Sequence, residues 1–536
     1  MEKMNPVVLA IDLGTQSVKA MIIDKNGNIL NRTQYEYKSP YYSLHPGWAE
    51  QKPEIYWDAV CKTVNLLKKE AGGLWSNLIA VSLTTIRDTC VCLDKSGKPL
   101  RDFILWLDKR QCRYNKPLPF FKSMLFSLSG MKDTAELLRK ISTCNWIMEN
   151  EPYIWNNTYK FIFVSGYLTF LLTGRLIDSV ANMIGHIPFN SKTRTWMGYN
   201  ELKRCVFNIN NEKLIELVEP GEMLGHISPA AEAQTGIPAG LPLIAAGSDK
   251  GCETLGLSCL KPDSAAIGLG TTATIQFTID KYMEPLPFIP AYPAVINGQY
   301  NPEAQVYRGY WLISWFKKEF AAKEVHEAKL LGVKPEKLLD SKLKNIPAGC
   351  DGLVFQPYFT PGIVMPKAKG AIVGFSDAHT RFHIYRAIIE GINFALMDGL
   401  YNMQKRGKVN IKKLFLAGGG AQSDIICQIT ANMFGLPAYR IQTHEAAGLG
   451  SAIVAFSAMG IYTDVYEAAE NMVKIKDEFL PDLEEHKIYM NLFNQIFSKM
   501  FTRLLPLYKS PDHFTDNAAS AADAASADEM ADSAFY

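Results

Sequence analysis

One stretch of this chain occurs twice, and that repetition constrains the fold more than any other feature. Residues Ala10–Asp24 read AIDLGTQSVKAMIID and residues Ala266–Asp280 read AIGLGTTATIQFTID. Laid side by side without a gap, they agree at seven of fifteen positions, where average residue usage gives about one. Each copy reads as an apolar strand, a tight Leu-Gly-Thr turn and a second strand closing at Asp. Lys25-Asn26-Gly27-Asn28, directly after the first copy, is a further hairpin signal. A glycine in such a turn lets the backbone approach a ligand, and the amide N–H groups and hydroxyls beside it can hold phosphate oxygens. One copy alone reads as an ordinary hairpin. Two of them, one in each half of a 536-residue chain, read as a nucleotide's phosphate tail gripped from both sides.

The differences between the copies matter as much as the matches. Where the first has Asp12 the second has Gly268, and where the first has Lys19 the second has Ile275. One half therefore carries a carboxylate able to hold a Mg²⁺, directly or through water, and a cation for phosphate. The other offers mainly backbone and Thr271. That asymmetry fits one nucleotide in a cleft better than two equivalent sites.

The length predicts two to four domains with substantial cores. With 21% charged residues and a net charge of +2, the chain has no basic field to recruit nucleic acid. Its ten cysteines are scattered without CxxC pairs or His-Cys clusters, the usage of reduced intracellular thiols. MEKMNPVVLAID runs straight into a strand and leaves no room for a signal peptide. The longest apolar run, FIFVSGYLTFLLTG from Phe161, is too short to span a bilayer and reads as a buried helix. The expectation is a cytoplasmic protein with no nucleic-acid or membrane partner; a homodimer is left open.

Along the chain, Lys52-Pro53 opens a helix that runs to about Glu70, with Pro53 at a tolerated early position. LIAVSLTTIRDTCVCLDKSGKPL, from Leu78, reads as strand, short break and strand, with Cys90 and Cys92 on one side of the second. Arg87 and Asp88 interrupt this apolar pattern. A charged pair between buried strands is either a structural ion pair or the lining of a cavity. Trp106, Asp108 and Arg110 in ILWLDKR again combine an aromatic with charges. Residues from about 115 to 230 read mostly as helices inserted on an α/β core. A short strand then ends at Gly247-Ser248-Asp249, ahead of a glycine-punctuated helix. A carboxylate at the C-terminal end of a strand is where α/β sheets place reactive groups. The alternative for Asp249 is a plain helix N-cap.

In the second half, Tyr307–Ala321 reads as an aromatic-rich helix, Gly352–Phe375 as a strand and a loop over the cleft, and His379–Gly407 as a long amphipathic helix. KLFLAGGGAQSDIICQITANMFGLPAY then gives a strand, Gly418-Gly419-Gly420, and a helix capped by Ser423 or Asp424 and ending at Gly435. Three glycines there make room for a flat group or a phosphate at the helix N-terminus. HEAAGLGSAIVAFSAMG is a helix of small residues suited to close packing under a ligand. Asn517–Tyr536 is low-complexity Ala/Asp/Ser, with the composition of a disordered tail.

Taken together, these residues resemble the FGGY family of carbohydrate kinases, within the superfamily of sugar kinases, Hsp70 and actin, over roughly residues 7 to 480. IDLGTQSVK resembles that family's first phosphate motif, IGLGTTATI its second, and GGGAQSDIICQITANMFGLP with EAAGLGSA its adenosine motif; PGWAEQKPEIYW and ILWLDKR resemble its landmarks. The resemblance implies an α/β fold of two actin-like (ribonuclease H-like) domains with a central nucleotide cleft. It places an N-terminal domain with the first phosphate motif and the sugar site at 1–250. A C-terminal domain with the other two motifs follows at 251–480, then a helix at 481–510 and the low-complexity tail at 511–536.

It also implies roles. Asp12 would organise Mg²⁺; Thr15, Gln16, Ser17 and Lys19 would meet the phosphates of ATP, with Thr271 from the other half; Gly419 and Gly420 would border the adenosine. Asp249 falls at the catalytic base, which takes a proton from the sugar hydroxyl as the γ-phosphoryl transfers. Arg87-Asp88 resembles the Arg-Glu pair of glycerol kinases, while the overall layout is closer to xylulokinases; with Trp106 these would meet a ketose or polyol. Alternatives are a kinase of another small hydroxylated signal molecule, or an actin- or Hsp70-like ATPase with no metabolite acceptor. Three positions depart from the family. Ser248-Asp249-Lys250 stands for Gly-Asp-Gln, so that Lys250 would lower the pKa of Asp249 or meet an acidic or phosphorylated acceptor. PGIVMPKAKG replaces the usual loop after Pro-Tyr-Phe, and ISTCNWI lacks the usual Lys.

Overall fold

The computed structural model describes residues 5–113, 117–286, 289–360, 362 and 365–508. Its first half is built on strands β1 (Val7–Leu13), β2 (Ser17–Asp24) and β3 (Ile29–Glu36), helix α1 (Pro53–Ala71), then β4 (Leu78–Thr85), β5 (Met223–His226) and β6 (Pro242–Ser248). Helix α2 (Asp249–Gly256) follows β6 directly. The second half has β7 (Ser264–Leu269), β8 (Ala273–Gln276), β9 (Glu303–Val306), helix α3 (Arg381–Gly407), β10 (Lys413–Ala417), helix α4 (Asp424–Phe434), β11 (Ala438–Ile441), helix α5 (Ala446–Ala458) and β12 (Ile475–Phe479).

These strands form two six-stranded sheets, ordered β3-β2-β1-β4-β6-β5 and β9-β8-β7-β10-β11-β12. Step for step the pairings have the same sense: antiparallel, antiparallel, parallel, parallel, antiparallel. The duplicated stretch is therefore the visible part of a duplicated sheet. Its two copies are not equivalent in register, however. Leu13 pairs with Val18 and Asp12 with Lys19, but Leu269 pairs with Ala273 and Gly268 with Thr274. The second turn is one residue shorter. The residue opposite Gly268 is thus Thr274, not Ile275, and the later matches of the ungapped alignment fall out of step.

Alternation along the central strands builds three cores. Val7, Leu9 and Ile11 of β1 face α1 through Tyr56, Val60, Val64 and Leu67, while Leu414 and Leu416 of β10 face α3. Val8 and Ala10 point the other way, as do Phe415 and Ala417, into a third core between the sheets. Strands buried on both faces read as continuous apolar runs, as β1 does. Helices α2 and α5, which follow the matching strands β6 and β11, fill this shared core. A Cβ on Gly256 would lie 1.9 Å from the Ala446 carbonyl oxygen, and one on Gly450 1.9 Å from that of Cys252. The small residues of α5 therefore serve a helix crossing between the halves rather than a ligand.

That contact is backbone on backbone, so no side-chain rotation relieves an added methyl. Gly450→Ala is expected to lose about 1–3 kcal/mol in denaturant unfolding. Gly73→Ala is the control, since nothing lies within 4 Å of its Cβ position.

Other readings change in detail. Lys160–Phe163 is a strand in a four-stranded sheet with Glu50–Gln51, Phe103–Ile104 and Cys90–Leu93, and the buried helix is Val164–Thr173. An apolar run this short does not separate strand from helix by periodicity. Five helices occupy 120–173, but residues 174–228 hold short strands and 3₁₀ turns instead of helix. Helix α3 is not amphipathic through its middle: all ten residues from Tyr385 to Phe394 are buried, Arg386 being satisfied by Glu390, Tyr489 and two carbonyls. Val354–Pro357 pairs with Gly370–Val373; Pro361, Ile363 and Val364 of the loop between them, and the tail from 509, lie outside the described residues. No helix among the described residues is long and apolar enough to cross a membrane.

Candidate active site

Strands β1, β4 and β6 are parallel, so their C-terminal ends share one edge of the first sheet. Asp12 is level with Thr84, and Thr85 with Ser248. Asp249 therefore stands two strand spacings, about 10 Å, from the end of β1. Ser248 caps α2 through its own hydroxyl, which accepts the Gly251 N–H at 3.3 Å. Asp249 is the first residue inside the helix and is free of that task. Its Oδ1 accepts the Lys250 N–H at 2.8 Å and lies 4.0 Å from Arg87 Nε.

Asp12 has no hydrogen-bond donor among the described residues. Burial pushes its carboxyl up to about 7; Lys19 opposes the shift, and Asp249, Glu445 and Glu253 add to it. Lys19 itself is paired with Glu445 at the start of α5, 2.8 Å away, and Arg32 holds the other oxygen of that carboxylate. In the first turn, Thr15 Oγ1 accepts the Trp106 indole N–H at 3.1 Å, and Gln16 gives its carbonyl to the Tyr37 N–H. Ser17 Oγ accepts from Gln34 at 3.3 Å.

The second sheet presents the matching edge. The Gly270 and Thr271 carbonyls accept the N–H groups of Tyr310 and Trp311. Gly418, at φ +86°, lets the glycine loop fold onto this turn: a Cβ there would sit 2.8 Å from the Leu269 carbonyl, and one on Gly420 2.9 Å from the Leu269 side chain. The second phosphate-type turn and Gly419-Gly420 are thus contiguous. Ser423, not Asp424, caps α4, by accepting the Ile426 N–H; Asp424 pairs with Arg440.

A cavity of about 720 Å³ opens between the halves, lined by Thr15, Arg87, Asp88, Trp106, Asp249 and Lys250 from the first and by Thr272, Tyr292 and Glu303 from the second. Asp12, Gln16, Ser17, Lys19, Thr271, Gly419 and Gly420 are outside its lining. Arg87 and Asp88 do not pair with each other. Arg87 reaches across to Glu303 in a two-pronged contact of 3.0 and 3.1 Å and lies over the Tyr292 ring. Burial works against its charge, and Glu303 and Asp249 more than offset this. Asp88 gives both oxygens to His186: Oδ1 accepts the backbone N–H at 2.9 Å and Oδ2 meets Nδ1 at 2.6 Å.

Lys250 is held by an ion pair on the cavity wall. Its Nζ is 2.9 Å from Glu253 and tucked under Gly268, where a Cβ would be 2.9 Å from it. Burial disfavours the ammonium, but Glu253 and Asp249 raise its pKa above the ordinary lysine value. The bare glycine opposite Asp12 in the repeat is thus what makes room for this pair. Glu253, Glu303 and His186 carry no signal in the sequence. Glu303 lies 216 residues from Arg87 and His186 98 from Asp88; the packing of the halves brings the first pair together, and the folding of the first half the second.

The sequence matches the family model described as the FGGY family of carbohydrate kinases, N-terminal domain, over residues 7–256, and the C-terminal domain over 265–459. An uncharacterized sugar kinase of Escherichia coli is 28% identical, over 92% of this chain and 93% of that protein. A xylulose kinase of Lactococcus lactis is 26% identical, over 92% and 96%. Among solved structures, ligand-bound xylulose kinase from Lactobacillus acidophilus superposes with a TM-score of 0.79 at 23% identity, over 94% of this chain and 99% of that one.

Proposed function

This chain belongs to the FGGY family of carbohydrate kinases, and from that premise we propose that it moves the γ-phosphoryl group of ATP onto a hydroxyl of a ketose or polyol, with Asp249 as general base. The observation that carries the reading is the place of Asp249: outside the helix cap, on the wall of a cavity shared by both halves, two strand spacings from the end of β1 that carries Asp12. A sugar hydroxyl is a poor nucleophile at neutral pH, and a carboxylate within hydrogen-bond reach takes its proton as the phosphoryl group departs. Arg87 Nε, 4.0 Å from Asp249 Oδ1, sets a cation beside this carboxylate.

The two turns divide the nucleotide between them. Thr15, Gln16, Ser17 and Lys19 meet the phosphates from one side and Thr271 from the other, with Gly419 and Gly420 against the adenosine. Lys19 exchanges Glu445 for a phosphate oxygen when ATP enters. We place the first domain at 1–250 and the second at 251–480, since β6 closes one sheet and β7 opens the next, and the segment expected at 481–510 is described as helical from Leu483 to Tyr508. Asp12 suits Mg²⁺: its carboxylate is donor-free, crowded by other acids and raised towards neutrality, the setting a divalent cation relieves. When bound, the metal neutralises charge on the phosphates. Lys250, paired with Glu253 on the cavity lining, sets a cation next to Asp249 in sequence.

The test is a screen of ketoses, polyols and sugar acids for acceptor-dependent ADP release, with the product examined by ³¹P NMR. One acceptor class yielding a phosphate monoester is expected. ADP release at the same rate with no acceptor would instead mark an ATPase of the actin or Hsp70 kind.

A further inference from the structure

Two strained backbone positions meet at the floor of the cavity. Asp88 has φ +50°, a conformation uncommon for any residue but glycine. Opposite it, Gly185 has φ +141°, and a Cβ there would lie 2.2 Å from Asp88 Oδ1. The glycine is what allows the carboxylate to dock on the 185–186 segment. Non-glycine residues in the left-handed region persist where the surroundings over-determine them, and they gather at functional sites. Here the surroundings are a single partner, held by the two contacts already described.

Asp88 spends one acceptor position of each carboxylate oxygen on His186, which pins the carboxylate and the ring to each other. The imidazole Nδ1 is fixed by the carboxylate, so Nε2 is the free end of the unit. His186 lines the cavity, its side chain is 25% exposed, and Nε2 has no partner among the described residues. A carboxylate that fixes one ring nitrogen sets both the orientation of the ring and the state of the other nitrogen. Burial disfavours the charged ring, but Asp88 outweighs this and holds the pKa above the usual histidine value.

We propose that His186 is the residue that binds the acceptor, through a hydrogen bond between Nε2 and one of its oxygens, and that Asp88 is a positioning residue acting through His186. This rests on the kinase reading above and moves the acceptor contact from the carboxylate to the ring. Arg87 spends one N–H of each terminal nitrogen on Glu303. The single directed hydrogen bond of a ring nitrogen suits one oxygen of the acceptor rather than a vicinal pair.

The experiment compares His186→Leu, His186→Gln and Asp88→Asn with wild type, using whichever of D-xylulose, D-gluconate and glycerol the wild type turns over. His186→Leu is expected to raise the acceptor KM tenfold or more, with the ATP KM unchanged and kcat falling far less than KM rises. His186→Gln, which keeps an N–H donor, recovers most of that loss; Asp88→Asn shows a smaller rise of the same kind. An acceptor KM within twofold of wild type in His186→Leu overturns the proposal, as does a parallel rise in both KM values with a lower Tm, the mark of a structural role. The positioning is checked without any acceptor. A ¹H–¹⁵N spectrum of ring-labelled protein should show a strongly hydrogen-bonded Nδ1–H that disappears in Asp88→Asn, and its absence from wild type overturns the assignment. Failure of the kinase reading looks different: wild-type ADP release at the same rate with no acceptor present, whatever the His186 variants do.

Discussion

Asp249→Asn should lower kcat by about 10²–10⁴-fold, the range a positioned general base supplies. The exchange removes one proton acceptor and little else. Ser248 already caps α2, so the helix keeps its N-terminal hydrogen bond. The lost negative charge in the first turn is worth about 0.3–1 kcal/mol against the helix dipole, too little to unfold the chain. The Lys250 N–H can still bond to the amide oxygen. Affinity for ATP and for the acceptor should stay within a few-fold, so that the loss falls on kcat. Steady-state ADP release, with melting curves for both proteins, makes the comparison. A variant keeping more than a tenth of wild-type kcat would remove Asp249 from the chemistry.

Asp12→Asn should also lower kcat/KM by about two to three orders of magnitude, the scale of losing one charge-stabilising group on a transferring phosphoryl group. Its effect on stability runs the other way. The folded carboxyl has its pKa raised from 3.8 to about 7, so the folded state binds the proton more tightly than the unfolded chain does. That contribution is fully present below about pH 4 and is lost as pH rises through 7. In chelator at pH 8, Asp12→Asn should therefore melt above wild type, and near pH 4 the two should coincide. Added Mg²⁺ should raise the wild-type melting temperature and leave the variant's in place. Equal stabilisation of both by Mg²⁺ would contradict the assignment.

How far the sequence carries follows from the range of each interaction. The two Leu-Gly-Thr turns were legible because turn chemistry is local, and the α/β, two-half architecture followed from their repetition. The one-residue difference between the turns was not, since an ungapped match still scores well where the hydrogen bonds have slipped. Arg87 and Asp88 announced themselves as charges among buried strands. Their partners Glu303 and His186 did not, because one contact depends on how the second half docks on the first and the other joins segments 98 residues apart within the first half. The same limit hid the crossing of α2 and α5. A stripe of small residues reads alike whether a ligand or a helix lies against it, and only the approach of Gly256 and Gly450 to opposing carbonyls decides the matter.

The central claim is that one hairpin from each half holds a single nucleotide, and calorimetry of a non-hydrolysable ATP analogue tests it most directly. Gly14 and Gly270 both sit in the turns, and a Cβ on either would rest 3.4 Å from its nearest neighbour, so each turn can take a side chain. The account predicts one site per chain in wild type, and a large loss of affinity at that site for Gly14→Asp and for Gly270→Asp alike, each placing a carboxylate against the phosphates. Two sites per chain, or full affinity after either substitution, would contradict it.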